Sequence, residues 1–376
     1  MTPLTLHQPR RILFGAGCLS QLSDHCLEQG VHRLLILTIP AARAAISELC
    51  ASLQKAGVET SVYETISREP TVGDFEQLFA AVAPFGADGV LAVGGGSVMD
   101  VGKLLAVFLR SGQTLDECFY QDRPIGGRTL WLACAPTTSG TGSEVSPNAI
   151  LLNEREEIKK GLVSPYLMPD AAYLDATLTL SVPARVTAET GMDALTHCIE
   201  AYTNRFAHPM IDLYALEGIR LIARHLLRAV EEGNDLEARE ALMLGSYYGG
   251  ICLGPVNTAA VHALSYPLGG EYHLSHGLAN ALLLPAVMRF NLPSQTGKFA
   301  RIALACGKEA KAEAAVEYVT QLSKACGIPD KLTQAGIPAE AAPHLAEAAM
   351  KVTRLLKNNP RELTRADAQT IYESLL

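Results

Sequence analysis

A parallel α/β half followed by an all-α half is the fold class this sequence predicts, on three observations. Short, continuous apolar runs alternate with helical periods up to about residue 180, the pattern of strands buried on both faces of a parallel sheet. Beyond residue 180 the segments are Ala-, Leu- and Glu-rich with few strand signals. The length, 376 residues, favours two domains at roughly 150 residues each. The boundary is therefore set as 1–180 for the α/β domain and 181–376 for the helical domain. No low-complexity linker separates them, so close packing around a cleft is expected.

The elements follow in order. Leu34–Thr38 is an apolar run closed by Pro40, and Ala41–Gly57 reads as a helix stopped by its glycine. Glu59–Tyr63 is a second strand and Thr71–Phe85 a second helix. Gly89–Val93 is a third strand, running into Gly94-Gly95-Gly96, and Val98–Arg110 a third helix ending at Gly112. Thr129–Cys134 is again strand-like. In the second half, helices are read at Thr187–Asn204, Pro209–Glu232, Glu237–Gly249 and Thr258–Tyr266. Three more are read at Glu309–Cys326, Ala339–Thr353 and Arg365–Leu376.

Composition bounds the function. Hydrophobic residues make up 48% and charged residues 19%, a globular balance. The net charge of −8 argues against nucleic-acid binding, which rests on Lys and Arg facing phosphates. Nine cysteines, an odd number without C-x-x-C spacing, fit reduced thiols in a cytoplasmic protein. The first residues lack the apolar core of a signal peptide, and no run approaches the ~18 apolar residues of a membrane span.

Two loops have the character of ligand sites. Gly94, Gly95, Gly96 and Ser97 lie between a strand and a helix, where glycines admit close backbone approach and the helix N-terminus offers N–H groups to a phosphate. Neither named motif fits: G-x-G-x-x-G would need glycine at Met99, and a P-loop would need Ser or Thr at Leu104. Without a ligand, the same residues make a tight βα turn. Pro136–Glu144 is a loop of small hydroxyl and glycine residues after a strand, either a crevice lining or a solvated loop.

Histidines are few, and three have suggestive company. Asp193 and His197 are four apart on one helix, so they share a face. His262 and His276 follow in the same half. One carboxylate and three imidazoles suit a divalent metal with an open position; the alternative is a hydrogen-bonded Asp–His pair and two core histidines. Glu189 and Glu200 read as a solvated face, and His208 and His225 as surface residues without chemistry.

Taken in order, five motifs resemble the iron-containing (group III) alcohol dehydrogenases. They are Gly94-Gly95-Gly96-Ser97-x-x-Asp100-x-x-Lys103 and Pro136-Thr137-Thr138-x-Gly140-Thr141-x-x-Glu144, then Gly191-x-Asp193-Ala194-x-x-His197-x-x-Glu200, then His262-Ala263-x-x-x-Pro267-Leu268-Gly269, and His276-Gly277-x-x-Asn280. The match spans about Leu34 to Pro285. It implies a Rossmann-like N-terminal domain and a helical C-terminal domain in a dehydroquinate synthase-like architecture, with NAD or NADP and Fe2+ as cofactors, Zn2+ being the competing metal. It implies metal ligation by Asp193, His197, His262 and His276. It implies cofactor binding by Gly94, Gly95, Gly96, Ser97 and Asp100, by Thr137 and Thr138, and by Lys160 at the ribose. Asn148 matches a polar position near the substrate, and the assembly is expected to be a homodimer or larger.

The departures from the family pattern are specific. Ile39 stands where NAD-preferring relatives carry Asp, so NADP is open. Tyr266 replaces a histidine assigned to proton relay, leaving Tyr266 or His273 for that task. Leu253 replaces an aromatic of the substrate pocket. Cys198, next to His197, is expected to be sensitive to oxidation. The expected activity is hydride transfer between nicotinamide and a short-chain (C2–C4) alcohol or aldehyde, including polar-substituted ones. The alternatives are a metal- and NAD-dependent lyase of the dehydroquinate synthase type, whose ligand set has Glu at the place of Asp193, and a metal-free nucleotide-binding protein.

Overall fold

The computed structural model describes residues 3–66, 68–154 and 158–376. The chain divides into two compact units. One comprises His7–Thr138 and Ser143–Ser181. The other comprises Val182–Leu376, with Ser139–Gly142 and the N-terminal segment up to Leu6.

The first unit is a parallel sheet with helices on both faces. Its strands are β1 (Arg11–Phe14), β2 (Arg33–Leu37), β3 (Glu59–Tyr63), β4 (Gly89–Gly94), β5 (Trp131–Pro136) and β8 (Ala171–Leu174), in the order β1-β8-β5-β4-β2-β3. Strands β6 (Asn148–Asn153) and β7 (Ile158–Val163) form a separate antiparallel hairpin. The helices are α1 (Leu22–Glu28), α2 (Arg43–Lys55), α3 (Val72–Val82), α4 (Gly96–Phe108) and α5 (Leu115–Phe119). Strand side chains alternate between faces. Leu34 and Ile36 of β2 pack with Ile46, Leu49 and Leu53 of α2, whereas Leu35 and Leu37 pack with α3 and α4. Both faces are dry, which is why β2 and β4 read as unbroken apolar runs.

The strand order positions the glycine turn. After β2 the chain moves outward to the edge strand β3, then returns to the other side of β2 as β4 and continues through β5. The direction reverses between β2 and β4, the topological switch point where open α/β sheets bind ligands beyond their strand C-termini. The turn leaves β4 at that point. Gly102 lets α4 press on its own strand, since a Cβ there would lie 2.8 Å from Ala92 Cβ. The missing third glycine of the dinucleotide fingerprint thus has its packing role filled three residues later than the fingerprint places it.

The second unit contains ten α-helices among the described residues. They are α6 (Ala184–Thr203), α7 (Pro209–Glu231), α8 (Leu236–Leu253), α9 (Ala260–Tyr272), α10 (His276–Asn291), α11 (Thr296–Ala305), α12 (Ala312–Ala325), α13 (Ala342–Ala349), α14 (Thr353–Leu356) and α15 (Arg365–Leu375). Helix α6 is the pivot: it packs against α7, α8 and α10 and is buried almost throughout from Thr187 to Thr203. No helix among the described residues is long and apolar enough to cross a membrane.

Several elements differ from the sequence reading. Strands β1 and β8 and the β6–β7 hairpin were not expected, nor were α1, α5, α10 and α11. β1 and β8 are only four residues long, too short for a periodicity to register. The expected strand at Thr129–Cys134 runs two residues further on, as Trp131–Pro136.

Candidate metal centre and dinucleotide site

Helix α6 presents Asp193 and His197 one turn apart, α9 presents His262, and His276 opens α10. Their ligand atoms all lie within 4.8 Å of one another. From Asp193 Oδ1 the Nε2 atoms of His276, His262 and His197 are 3.6, 3.7 and 3.9 Å away. A tetrahedral ion with bonds of ~2.1 Å needs ligand atoms about 3.5 Å apart. The three distances from Asp193 exceed that spacing by only a few tenths of an ångström. The His197 and His262 rings stack at 4.8 Å, and those of His262 and His276 lie 5.1 Å apart.

The surrounding groups set the protonation of this cluster. Glu200 Oε2 accepts from His262 Nδ1 at 2.6 Å, and its Oε1 accepts from Val261 N at 2.6 Å. The ring proton is therefore on Nδ1, and the Nε2 lone pair faces the cluster. Asn280, one turn after His276, donates from Nδ2 to Asp193 Oδ1 at 2.7 Å and lies 3.1 and 3.2 Å from Nε2 of His262 and His276. Burial pushes the Asp193 carboxyl up, but the imidazoles of His197, His276 and His262 outweigh it, leaving it below its ordinary value. Burial holds His197 below its ordinary value, against the pull of Asp193. A buried carboxylate among three imidazoles is a donor set that fits a divalent cation.

Close packing explains why a glycine follows His276. A Cβ on Gly277 would lie 2.5 Å from Glu189 O, so only glycine allows the first turn of α10 to rest on α6.

In the α/β unit, Gly95 caps α4 and lies against Thr138, with 3.6 Å between a built Cβ and Thr138 Oγ1. Thr137 N donates to Gly94 O at 3.0 Å, joining the two loops at the ends of β4 and β5. Among the described residues, Thr38 Oγ1, Thr137 Oγ1 and Asn148 Oδ1 are buried without a hydrogen-bond partner. Thr38 lies just after β2 and Thr137 just after β5, so their unmet polarity falls near the switch point, while Asn148 opens β6. Native proteins seldom leave such atoms unpaired, and a polar ligand is one way to satisfy them. The glycine turn and these atoms fit a phosphate-bearing dinucleotide. Ile39 precedes a short 3-10 turn leading into α2, and Arg43 at the start of α2 is paired with Glu64.

Other expected site residues are placed as follows. Both Asp100 oxygens are taken by protein groups: Oδ1 accepts from Ser143 Oγ at 2.5 Å and Oδ2 from Ile150 N at 3.0 Å. Lys160 Nζ donates to Phe119 O and to Asp122 Oδ1. Tyr266 lies one turn beyond His262 on α9. His273 caps α9 in the left-handed region, with φ 57°. Leu253 is the last residue of α8 and is buried.

Four readings need correction. Glu200 and Glu189 are buried, not part of a solvated face: Glu200 holds His262, and Glu189 accepts from Ser275 Oγ at 2.6 Å. His225 is buried in α7, and its imidazole sits below its ordinary value, chiefly through burial. His208 needs no correction: it is part-exposed and accepts from Met210 N as the N-cap of α7. Cys198 is fully buried, and desolvation pushes its thiol up to about 12, which makes it inert. Glu200 and Asn280 were quoted within motifs but given no role. Their signals were helical spacings, three residues after His197 and four after His276.

Two family models match the chain. The model described as "Iron-containing alcohol dehydrogenase" matches residues 9–176, and "Fe-containing alcohol dehydrogenase family, C-terminal" matches residues 187–376. The chain is 38% identical to long-chain-alcohol dehydrogenase 1 of Geobacillus thermodenitrificans (strain NG80-2), over 96% of this chain and 93% of that protein. Among solved structures, a 1,3-propanediol oxidoreductase superposes with a TM-score of 0.93 at 32% identity, covering all of both chains. The sulfoacetaldehyde reductase of Bifidobacterium kashiwanohense, solved in complex with NAD+, superposes at 0.91 with 28% identity over 100% of this chain and 99% of that one.

Proposed function

The chain belongs to the iron-containing alcohol dehydrogenase family, and on that premise we propose that it interconverts short-chain (C2–C4) alcohols and their aldehydes, polar-substituted ones included. Asp193, His197, His262 and His276 hold one divalent metal, Fe2+ with Zn2+ as its competitor, and the hydride partner is NAD or NADP. One observation carries this reading: three imidazole Nε2 atoms face a buried carboxylate within 4.8 Å, and one ring is turned inward by Glu200 from behind.

When bound, the metal supplies Lewis acidity toward an alcohol or carbonyl oxygen, and the dinucleotide supplies the hydride acceptor or donor. The residues of the chain then have separate tasks. Glu200 fixes the tautomer of His262. Asn280 orients Asp193. The Gly94–Ser97 turn and the start of α4 take the pyrophosphate, and Thr137, Thr138 and Lys160 take the nicotinamide side and ribose. Asn148 and Leu253 border the substrate. Tyr266 and His273 are the relay candidates for the hydroxyl proton. Assembly as a cytoplasmic homodimer or larger oligomer completes the proposal.

The test is a panel of C2–C4 aldehydes with NADH and with NADPH in metal-defined buffer. Reduction that disappears on chelation and returns with Fe2+ or Zn2+ supports the proposal. Full aldehyde-reductase activity in metal-stripped protein overturns it.

A further inference from the structure

Lys103 is fully buried, yet it takes no part in the chemistry described above. Its ammonium has three protons and three good acceptors: Ser143 Oγ at 2.7 Å, Ser146 O at 3.0 Å and Asn148 O at 2.8 Å. Ser143 Oγ in turn donates to Asp100 Oδ1 at 2.5 Å, and Asp100 Oδ2 accepts from Ile150 N at 3.0 Å. Asp100 and Lys103 stand one turn apart on α4, 3.6 Å from each other. From that one helix, the pair grips the segment 143–150 on both sides of Asn148.

Burying a lysine and an aspartate carries a large desolvation penalty, and an apolar pair of similar volume would hold two elements together at least as well. What an ammonium with three directed N–H bonds adds is fixed position. Helix α4 begins at the glycine turn, so the grip sets the distance between that turn and Asn148. The side-chain oxygen of Asn148 is itself buried, with no hydrogen-bond partner among the described residues. A group held from behind at its own carbonyl, with its side-chain oxygen unmet, is arranged for a ligand.

We propose that Lys103, Ser143 and Asp100 form a clamp that positions Asn148, at the border between substrate and dinucleotide, for the bound dinucleotide, at a fixed spacing from the glycine turn that takes its pyrophosphate. These are positioning residues, because their polar atoms are turned to one another and to the backbone of 146–150. The gain is preorganisation: a dinucleotide meets both ends of its site already aligned. Asp100, placed in the pyrophosphate loop by resemblance, acts here through Asn148. The inference rests on the dinucleotide reading of the site.

The test measures NADH and NADPH binding by fluorescence titration of the full-length, metal-loaded chain, with metal content determined on the same samples. Ser143→Ala and Lys103→Met are each expected to weaken binding about tenfold, with metal content unchanged, and to raise the KM for nucleotide. Asn148→Ala is expected to weaken binding similarly. The double variant Ser143→Ala/Asn148→Ala is expected to bind no more weakly than the worse single, because both act through one group. Ser143→Ala removes only a hydroxyl, so it serves where Lys103→Met does not fold. Additive losses in the double variant, or unchanged affinity in Ser143→Ala, overturn the clamp alone. A wild-type chain that binds neither nucleotide overturns the dinucleotide reading, and the clamp with it.

Discussion

Glu200 holds His262 from behind, with Oε2 2.6 Å from the imidazole Nδ1. Both groups are buried, so little solvent competes for this bond. The contact turns a core histidine into a directed donor, because with Nδ1 protonated the only free lone pair is on Nε2. The second Glu200 oxygen holds Val261 N, so the backbone at the start of α9 and the ring are fixed by one side chain.

Glu200→Gln tests this arrangement. An amide can accept one of the two bonds but meets the other donor with its own N–H2. Metal affinity is expected to fall about 10- to 100-fold, the usual consequence of losing such support. Competition with a chelator of known affinity measures it, and an unchanged affinity would show that His262 does not depend on Glu200.

Gly277→Ala probes packing rather than chemistry. The new methyl would meet Glu189 O at 2.5 Å, so α10 must move away from α6. Overpacking of this kind costs about 1–3 kcal/mol, and here it also displaces His276. Urea unfolding and metal titration should both change. A variant with lower stability but wild-type metal affinity would mean that the position of His276 is not set by this contact.

Glu144 gives the pH dependence a sign. Burial raises its carboxyl to about 7 from 4.5, so the folded state holds a proton that the unfolded chain releases earlier. Its contribution to stability is complete below 4.5 and is lost as pH rises through about 7. Each tenfold change in proton affinity is ~1.4 kcal/mol, so the full effect is on the order of 3 kcal/mol. Glu144→Gln is therefore expected to gain stability relative to wild type between pH 5 and pH 8, measured by urea unfolding at both. A difference that is the same at the two pH values would contradict it.

Ile39→Asp addresses cofactor choice. A carboxylate just beyond β2, beside the switch point, favours ribose hydroxyls and repels a 2′-phosphate. The kcat/KM ratio of NADH over NADPH is expected to rise by about tenfold or more, equivalent to ~1.4 kcal/mol. An unchanged ratio would mean that the adenosine ribose is read elsewhere.

Much of this was legible in the sequence because it rests on local spacing. The buried runs of β2 and β4, the glycine turn and the i,i+4 pair Asp193–His197 are each contained in one short segment. What was illegible depends on partners distant in the chain. The burial of Glu200 follows from a bond to a histidine 62 residues away. Its helix is buried on nearly every side, so no polar face marks the residue as inward. Nothing local marks Lys103 as buried, because its acceptors, Ser143, Ser146 and Asn148, are 40 to 45 residues later. Strands β1 and β8 were missed for the same reason: four residues carry no periodicity, and what makes them strands is their pairing with each other, Arg11 to Ala171 through Phe14 to Leu174.

The proposed function stands on one ion held by Asp193, His197, His262 and His276. Its most direct test is elemental analysis of wild type and His262→Ala after anaerobic loading with Fe2+ and removal of free metal, with folding checked by circular dichroism. One metal per chain is expected in wild type and almost none in a folded His262→Ala. A folded His262→Ala that retains one metal per chain, or a wild type that retains none, would contradict it.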